Sequence, residues 1–110
     1  MAWLLRDGEV LASIEVPDSR ALRLKGVMGR SSLDGALLLR PARAVHTFGL
    51  RFPIDVIFCR AGLLVVDTLD AVAPYRVTAP RRGARCVIEA EAGSVARWHL
   101  RPGDQLELKG

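Results

Sequence analysis

The residues best placed to do chemistry lie in one stretch, His46-Thr47-Phe48-Gly49-Leu50-Arg51-Phe52-Pro53-Ile54-Asp55. An imidazole, a hydroxyl, a guanidinium and a carboxylate crowd there into an otherwise apolar run. Asp55 enters its most apolar part, Ile54 to Phe58. An unpaired carboxylate is very costly in such surroundings, so Asp55 either collects specific donors or opens onto a solvent-filled pocket. Glu89, inside Cys86 to Ala90, poses the same choice, and Arg30 follows an earlier helical pattern. Brought into one cleft, these groups make a site for a small polar ligand. Arg30 or Arg51 would take an anionic group, and Asp55 and Glu89 hydroxyls or an amine, with His46 and Thr47 alongside. The competing reading is architectural: Asp55 and Glu89 accept backbone N–H groups or pair with arginines, and so fix the fold.

Catalysis asks for more than these residue types. Asp55 and Glu89 could act as acid and base in a hydrolase-like reaction, but only at a fixed separation around a substrate. His46 and Thr47 do not form a base–nucleophile pair by adjacency, because neighbours on a strand point to opposite faces. The chain has no nucleophile elbow, phosphate loop, HExxH or dinucleotide fingerprint. No cofactor is expected, and a metal held by His46, Asp55 and Glu89 is a minor reading. His99, beside Trp98, reads as a half-exposed helix residue. Cys59 and Cys86 stand 27 positions apart without a CxxC or clustered histidines, which argues against zinc and against thioredoxin-like chemistry. They are either small buried hydrophobes or a disulfide between neighbouring strands. Binding is the main expectation and an enzyme the alternative.

Composition narrows the partners. With 110 residues, half hydrophobic and a quarter charged, the chain reads as one globular domain, 1–110. No apolar run approaches the roughly 18 residues that span a bilayer. Asp7 and Glu9 come before any leader-like apolar segment. A cytoplasmic monomer without a membrane partner is the expectation. The formal charge is +4, and 14 of the 16 basic residues are arginine. So modest and scattered an excess does not argue for nucleic acid. Arg76, Arg81, Arg82 and Arg85 could meet phosphates, yet none of the six aromatics is interleaved with them as a stacking platform needs. A small molecule or a protein is the expected partner. A strand edge bordered by Arg81 and Arg82 would suit an acidic segment added as a strand.

The elements that must position these residues follow from turns and periodicity. Asp7-Gly8 between Trp3 to Leu5 and Glu9 to Val16 predicts a hairpin, with Val10, Ala12, Ile14 and Val16 on its buried face. Pro17-Asp18-Ser19 opens a helix over about 18–29 with Ala21, Leu24 and Met28 on one stripe, stopped at Gly29. Leu33-Asp34-Gly35 is a turn before a buried strand, Ala36 to Leu39, and Arg40-Pro41-Ala42-Arg43 is a bend. Strands follow at Val45 to Phe48 and at Ile54 to Arg60, the second hairpinned through Ala61-Gly62 to Leu63 to Leu69. Asp70 to Arg85 reads as a loop with a short strand near Tyr75 to Thr78. Cys86 to Ala90 is a strand, Val95 to Leu100 a helical turn capped by Ser94, and Gln105 to Leu108 the closing strand. The predicted fold is α+β and mainly β: a small antiparallel, barrel-like curved sheet with one packed helix (about 18–29) and a short helical turn near 95–100.

With these residues laid out, the chain resembles domain of unknown function 192, an uncharacterised prokaryotic family. Gly26-Val27-Met28-Gly29-Arg30-Ser31-Ser32-Leu33 is similar to the family's Gly-Leu-Met-x-Arg-x-x-Leu motif. His46 to Asp55 resembles its central motif, with His-Thr where many relatives carry Trp-Met-x-Asn-Thr. Val87-Ile88-Glu89-Ala90-Glu91-Ala92-Gly93 is similar to its Val-Leu-Glu-x-x-x-Gly segment, and Pro102-Gly103-Asp104 to its closing turn. The resemblance covers nearly the whole chain and implies a compact β-rich fold with one helix on a curved sheet. It implies no activity. Many relatives are exported behind a signal peptide, a pattern from which this chain departs.

Overall fold

The chain opens with the hairpin its Asp7-Gly8 pair predicts. Strand β1 (Ala2–Arg6) turns into β2 (Glu9–Glu15) through Asp7 and Gly8, both at positive φ, 52° and 79°. Such left-handed pairs match the twist of the flanking strands. The computed structural model describes residues 2–17 and 32–110. The helix expected over 18–29, and Arg30 after it, lie outside the described residues. Strands β3 (Ala36–Leu39), β4 (Ile54–Cys59), β5 (Val65–Val72) and β6 (Cys86–Glu91) follow. A short helix α1 (Ser94–Arg97) and β7 (Glu107–Lys109) complete the order. No helix among the described residues is long and apolar enough to cross a membrane.

The strands form one curved sheet in the order β5-β4-β6-β3-β2-β1-β7. Its pairings are antiparallel except β2 with β3, which run parallel. Parallel neighbours need a long crossover connection, which residues 16–35 supply. The two ends of the sheet meet. Val65 N–H donates to Asp104 O (2.8 Å), Gly103 N–H to Val65 O (2.8 Å) and Leu106 N–H to Leu63 O (3.0 Å). The sheet therefore curls into a barrel-like shape joined along a short seam, without a full closing ladder.

Two apolar clusters lie on the two faces of the central strands. Inside the curl sit Leu4, Ile14, Leu38, Ile57, Ile88 and Leu106, with Val95 and Leu100 from the α1 region. On the other face Leu37, Ile54, Val56, Phe58 and Val87 are covered by Leu33, Leu50 and Ala84. Strands β3 and β4 are thus buried along their whole length, which accounts for their unbroken apolar sequences. Gly35, at φ 79°, lies so close to β2 that a Cβ there would stand 2.6 Å from the Ser13 carbonyl oxygen.

Three expectations are corrected. The β1–β2 register shifts between Leu4 and Leu5, leaving Leu11 as an extra residue. This bulge turns Leu11 toward the core and leaves Val10 54% exposed, against simple alternation. The strand expected at Val45 to Phe48 is a single bridge, His46 to Val77. Around it, residues 42–47 run against 75–85 as an irregular ribbon: Ala42 N–H donates to Arg85 O (2.9 Å), Thr78 N–H to Val45 O (2.9 Å) and Thr47 N–H to Arg76 O (2.8 Å). Finally, Ser94 does not cap α1. The cap position is Gly93, and no side chain of its own bonds the helix start.

Candidate functional site

That missing cap is supplied from β4. Asp55 is fully buried, and its Oδ2 accepts the backbone N–H groups of Gly93 (3.1 Å) and Val95 (2.8 Å) at the start of α1. Its Oδ1 accepts the N–H of Ala71 (2.8 Å). Ala71 lies at φ 47° where the β4–β5 register shifts opposite Asp55. A bulge of this kind turns an N–H out of the ladder, and the carboxylate receives it. One side chain thereby ties β4, the β5 bulge and the β6–α1 turn together. Three of its roughly four lone-pair positions serve the backbone. Asp55 is built into the fold, as the architectural reading expects.

Glu89 is buried too, but on the other face of the sheet. Its cross-strand neighbours are Val56 and Leu37, whereas that of Asp55 on β6 is Ala90. Side chains alternate between faces along a strand, so Asp55 and Glu89 do not converge on one substrate. The acid–base pairing considered from the sequence has no geometry here. Among the described residues no three His, Cys, Asp or Glu side chains gather as metal ligands would. An open cleft lined by Leu11, Ser13, Gly35, Glu91, Arg97 and Trp98 includes none of the expected site residues.

Thr47 and His46 part company as neighbours on a strand should. Thr47 is fully buried; its hydroxyl donates to Ala73 O (2.7 Å) and accepts Arg76 N–H (2.8 Å). Its carbonyl oxygen accepts Tyr75 N–H (3.1 Å). Thr47 therefore clamps the turn at 73–76, where Tyr75 stands at φ 62°. A bulky residue in this left-handed region is uncommon and persists where surrounding bonds impose it. His46 and Arg51 are exposed.

Sequence reasoning missed what this clamp presents to solvent. His46 stacks on Phe48 with ring centroids 5.5 Å apart, and Phe48 meets Tyr75 at 6.4 Å in a tilted arrangement, both within the range of favourable aromatic pairs. Val77 lies across the bridge from His46. Phe48, Tyr75 and Val77 are 46%, 68% and 67% exposed, three of the five exposed large hydrophobics among the described residues. The signal was available as two short alternations, His46-Thr47-Phe48 and Tyr75-Arg76-Val77, with no partner strand assigned to either. Arg81, expected to border an open edge, is instead anchored. Its Nε bonds Asp67 Oδ2 (2.7 Å) and its guanidinium lies 4.5 Å from the Phe58 ring centroid.

Cys59 and Cys86 face each other directly across β4 and β6, both buried and unlinked. A hydrogen bond to Cys86, then burial, pushes the Cys59 thiol up. Cys86 in turn donates to Arg60 O at 3.3 Å. They act as the small buried hydrophobes of the first alternative.

The fold and its interior carboxylate define a small, mainly β α+β domain built on one curled sheet. The family pattern of DUF192, described as "Uncharacterized ACR, COG1430", matches residues 2–108, and the chain belongs to that family. A UPF0127 protein of Pyrococcus furiosus is 29% identical over 104 residues, covering 90% of this chain and 89% of its own. One from Thermococcus sibiricus is 28% identical over 100 residues, covering 86% of this chain but 64% of its own longer one. A crystal structure of a protein of unknown function from Novosphingobium aromaticivorans superposes with a TM-score of 0.80 at 23% identity, over 96% of this chain and 82% of that one. A Sinorhizobium meliloti structure, described as a candidate transcription regulator, gives 0.81 at 22%, over 96% and 90%. At these identities the two structures speak to the fold alone.

Proposed function

We propose that this chain is a binding domain whose contact surface is the outward face of the ribbon, His46, Phe48, Tyr75 and Val77, and not a pocket floored by Asp55 or Glu89. One observation carries the reading: three of the five exposed large hydrophobics among the described residues gather with a histidine on one face, and a buried threonine holds the turn that presents them. Apolar side chains scattered singly over a surface need no explanation, whereas a contiguous patch marks an interaction site. Arg51, exposed three residues beyond Phe48, supplies a charge for an anionic group. The partner is a small polar molecule or a macromolecule met in the cytoplasm.

The test is a proton–nitrogen NMR titration of labelled protein with pools of sugars, nucleotides, amino acids and acidic peptides. Saturating shifts at residues 46–48 and 75–77 are expected. Shifts centred on Ala71, Gly93 and Val95, whose amides bond Asp55, with 46–48 unmoved, would overturn the ribbon in favour of an inner pocket.

A further inference from the structure

We infer that the partner of this face is single-stranded nucleic acid, with phosphates on the ribbon arginines and bases stacked on Phe48 and Tyr75. The inference rests on the binding face proposed above and adds the chemistry of what it takes.

Charge is the first ground. Along the sequence the excess of +4 looks diffuse, but the fold gathers it. The ribbon lies within the longer segments 35–54 and 71–88, and neither segment contains an aspartate or glutamate. Together they carry Arg40, Arg43, Arg51, Arg76, Arg81, Arg82 and Arg85, while the rest of the chain, with nine basic and twelve acidic residues, is net negative by 3. Asp67 from β5 neutralises Arg81. Arg43, Arg51, Arg76, Arg82 and Arg85 are exposed. Exposed arginines on two adjoining segments without a single acid are the footprint of a polyanion.

The second ground is the aromatic face. The reason against nucleic acid in the bare sequence was that no aromatic is interleaved with the arginines. Folding supplies the interleaving: Phe48 comes from one side of the ribbon and Tyr75, next to Arg76, from the other. Open π-faces beside guanidinium groups suit unstacked bases, because every base offers a ring and stacking tolerates any sequence. A duplex keeps its bases stacked and out of reach of such rings. An acidic peptide would satisfy the arginines but give the rings nothing to stack on. The ribbon's six residues, 42–47, span roughly 20 Å at strand rise, at the short end of single-strand sites, about four nucleotides.

The experiment is fluorescence anisotropy of the full chain with labelled 12-nucleotide oligo-dT and oligo-rU, against a 12-base-pair duplex and a 12-residue poly-glutamate. Single strands are expected to bind more tightly than both comparators, the tighter of the two naming DNA or RNA as the source. Three or four phosphate contacts give a log–log salt slope of roughly −2 to −3. Phe48→Leu and Tyr75→Leu keep apolar bulk and remove the π-face, so each should weaken binding about 10-fold. Arg76→Gln with Arg82→Gln should flatten the slope by about 1.4. Loss of single-strand binding even at low salt, or binding that both leucine variants leave intact, overturns the inference. Poly-glutamate bound as tightly, and lost in Phe48→Ala, overturns nucleic acid but keeps the face with an acidic protein as its partner. In a parallel proton–nitrogen titration with the same oligo-dT and oligo-rU, shifts falling on Arg97 and Arg101 instead of the ribbon would sink face and inference together. Unchanged proton–nitrogen spectra of the variants establish that they fold.

Discussion

Thr47 and Phe48 are neighbours in sequence and opposites in use. The polar one is fully buried and spends its hydroxyl on the backbone of a turn, while the aromatic one stands 46% exposed. The same inversion recurs at the end of the central motif. Asp55, the residue with most chemical promise, is enclosed and satisfied by three backbone N–H groups, while Phe48, Tyr75 and Val77 face water. A polar side chain inside an apolar strand costs too much to be left unpaired, so here it serves the fold. An apolar side chain on a surface costs little, so selection for something outside the molecule can place it there. On the reading proposed above, the residue to look to for function is the exposed ring, not the buried acid.

The sharpest way to break that comparison is Asp55→Ala. The substitution leaves three backbone N–H groups, that of Val95 buried, without their acceptor at the start of α1 and at the β5 bulge. Hydrogen bonds to a charged acceptor contribute about 1.5–3 kcal/mol each, so the loss should reach about 3 kcal/mol or more, measured by urea unfolding with an unchanged m-value. Asp55→Asn, which keeps one oxygen, should cost less. A loss under about 1 kcal/mol for Asp55→Ala would mean the carboxylate does not hold these elements, and would return it to the candidates for ligand contact.

Much of this division was legible beforehand, and the rest has physical reasons for being hidden. Asp7-Gly8 places the first hairpin because such pairs adopt the left-handed turn that closes it, and the apolar run within Ile54 to Arg60 is legible as a strand because both faces of Ile54–Cys59 meet apolar clusters. The sequence allows an architectural Asp55, but its donors come from residues 16, 38 and 40 positions away, and no local pattern names them. Ser94 looked like the cap of its own helix by the usual local rule; a long-range carboxylate displaced it. Val10 was misplaced because one extra residue, Leu11, reverses the alternation. The aromatic face was invisible for the same reason as the Asp55 bonds: Phe48 and Tyr75 lie 27 positions apart, and only the ribbon's register joins them.

Thr47→Val sharpens the comparison from the other side, because it keeps the shape and removes only the hydroxyl. Arg76 N–H loses its acceptor and Ala73 O its donor, a cost of about 1–3 kcal/mol for groups left unsatisfied. The backbone bonds of Thr47 itself should survive. The clamp makes a second demand: once the hydroxyl is gone, only the backbone bonds of Thr47 hold the turn, and Tyr75 is kept less firmly at φ 62°. Hydrogen exchange at the Arg76 amide should quicken well beyond the global loss of stability, and binding at the ribbon should weaken although Thr47 touches no partner. Unchanged protection at Arg76 would show that the turn holds itself and that Thr47 is ordinary core.

The smallest effect is the most decisive for the exposed region. Tyr75→Ala removes a ring that lies largely in water and should change stability by no more than about 0.5 kcal/mol, whereas Phe48→Ala also removes a stacking partner of His46 and should cost about 1 kcal/mol. Tyr75→Gly goes further. Glycine occupies the left-handed region without a Cβ penalty, so this variant should be as stable as the parent or slightly more so. A residue that can be replaced by glycine without cost is held in the chain by something other than the fold. If Phe48→Ala instead costs 2 kcal/mol or more, the ring is part of the second apolar cluster, the patch is a by-product of packing, and the ground for a binding face at the ribbon is gone.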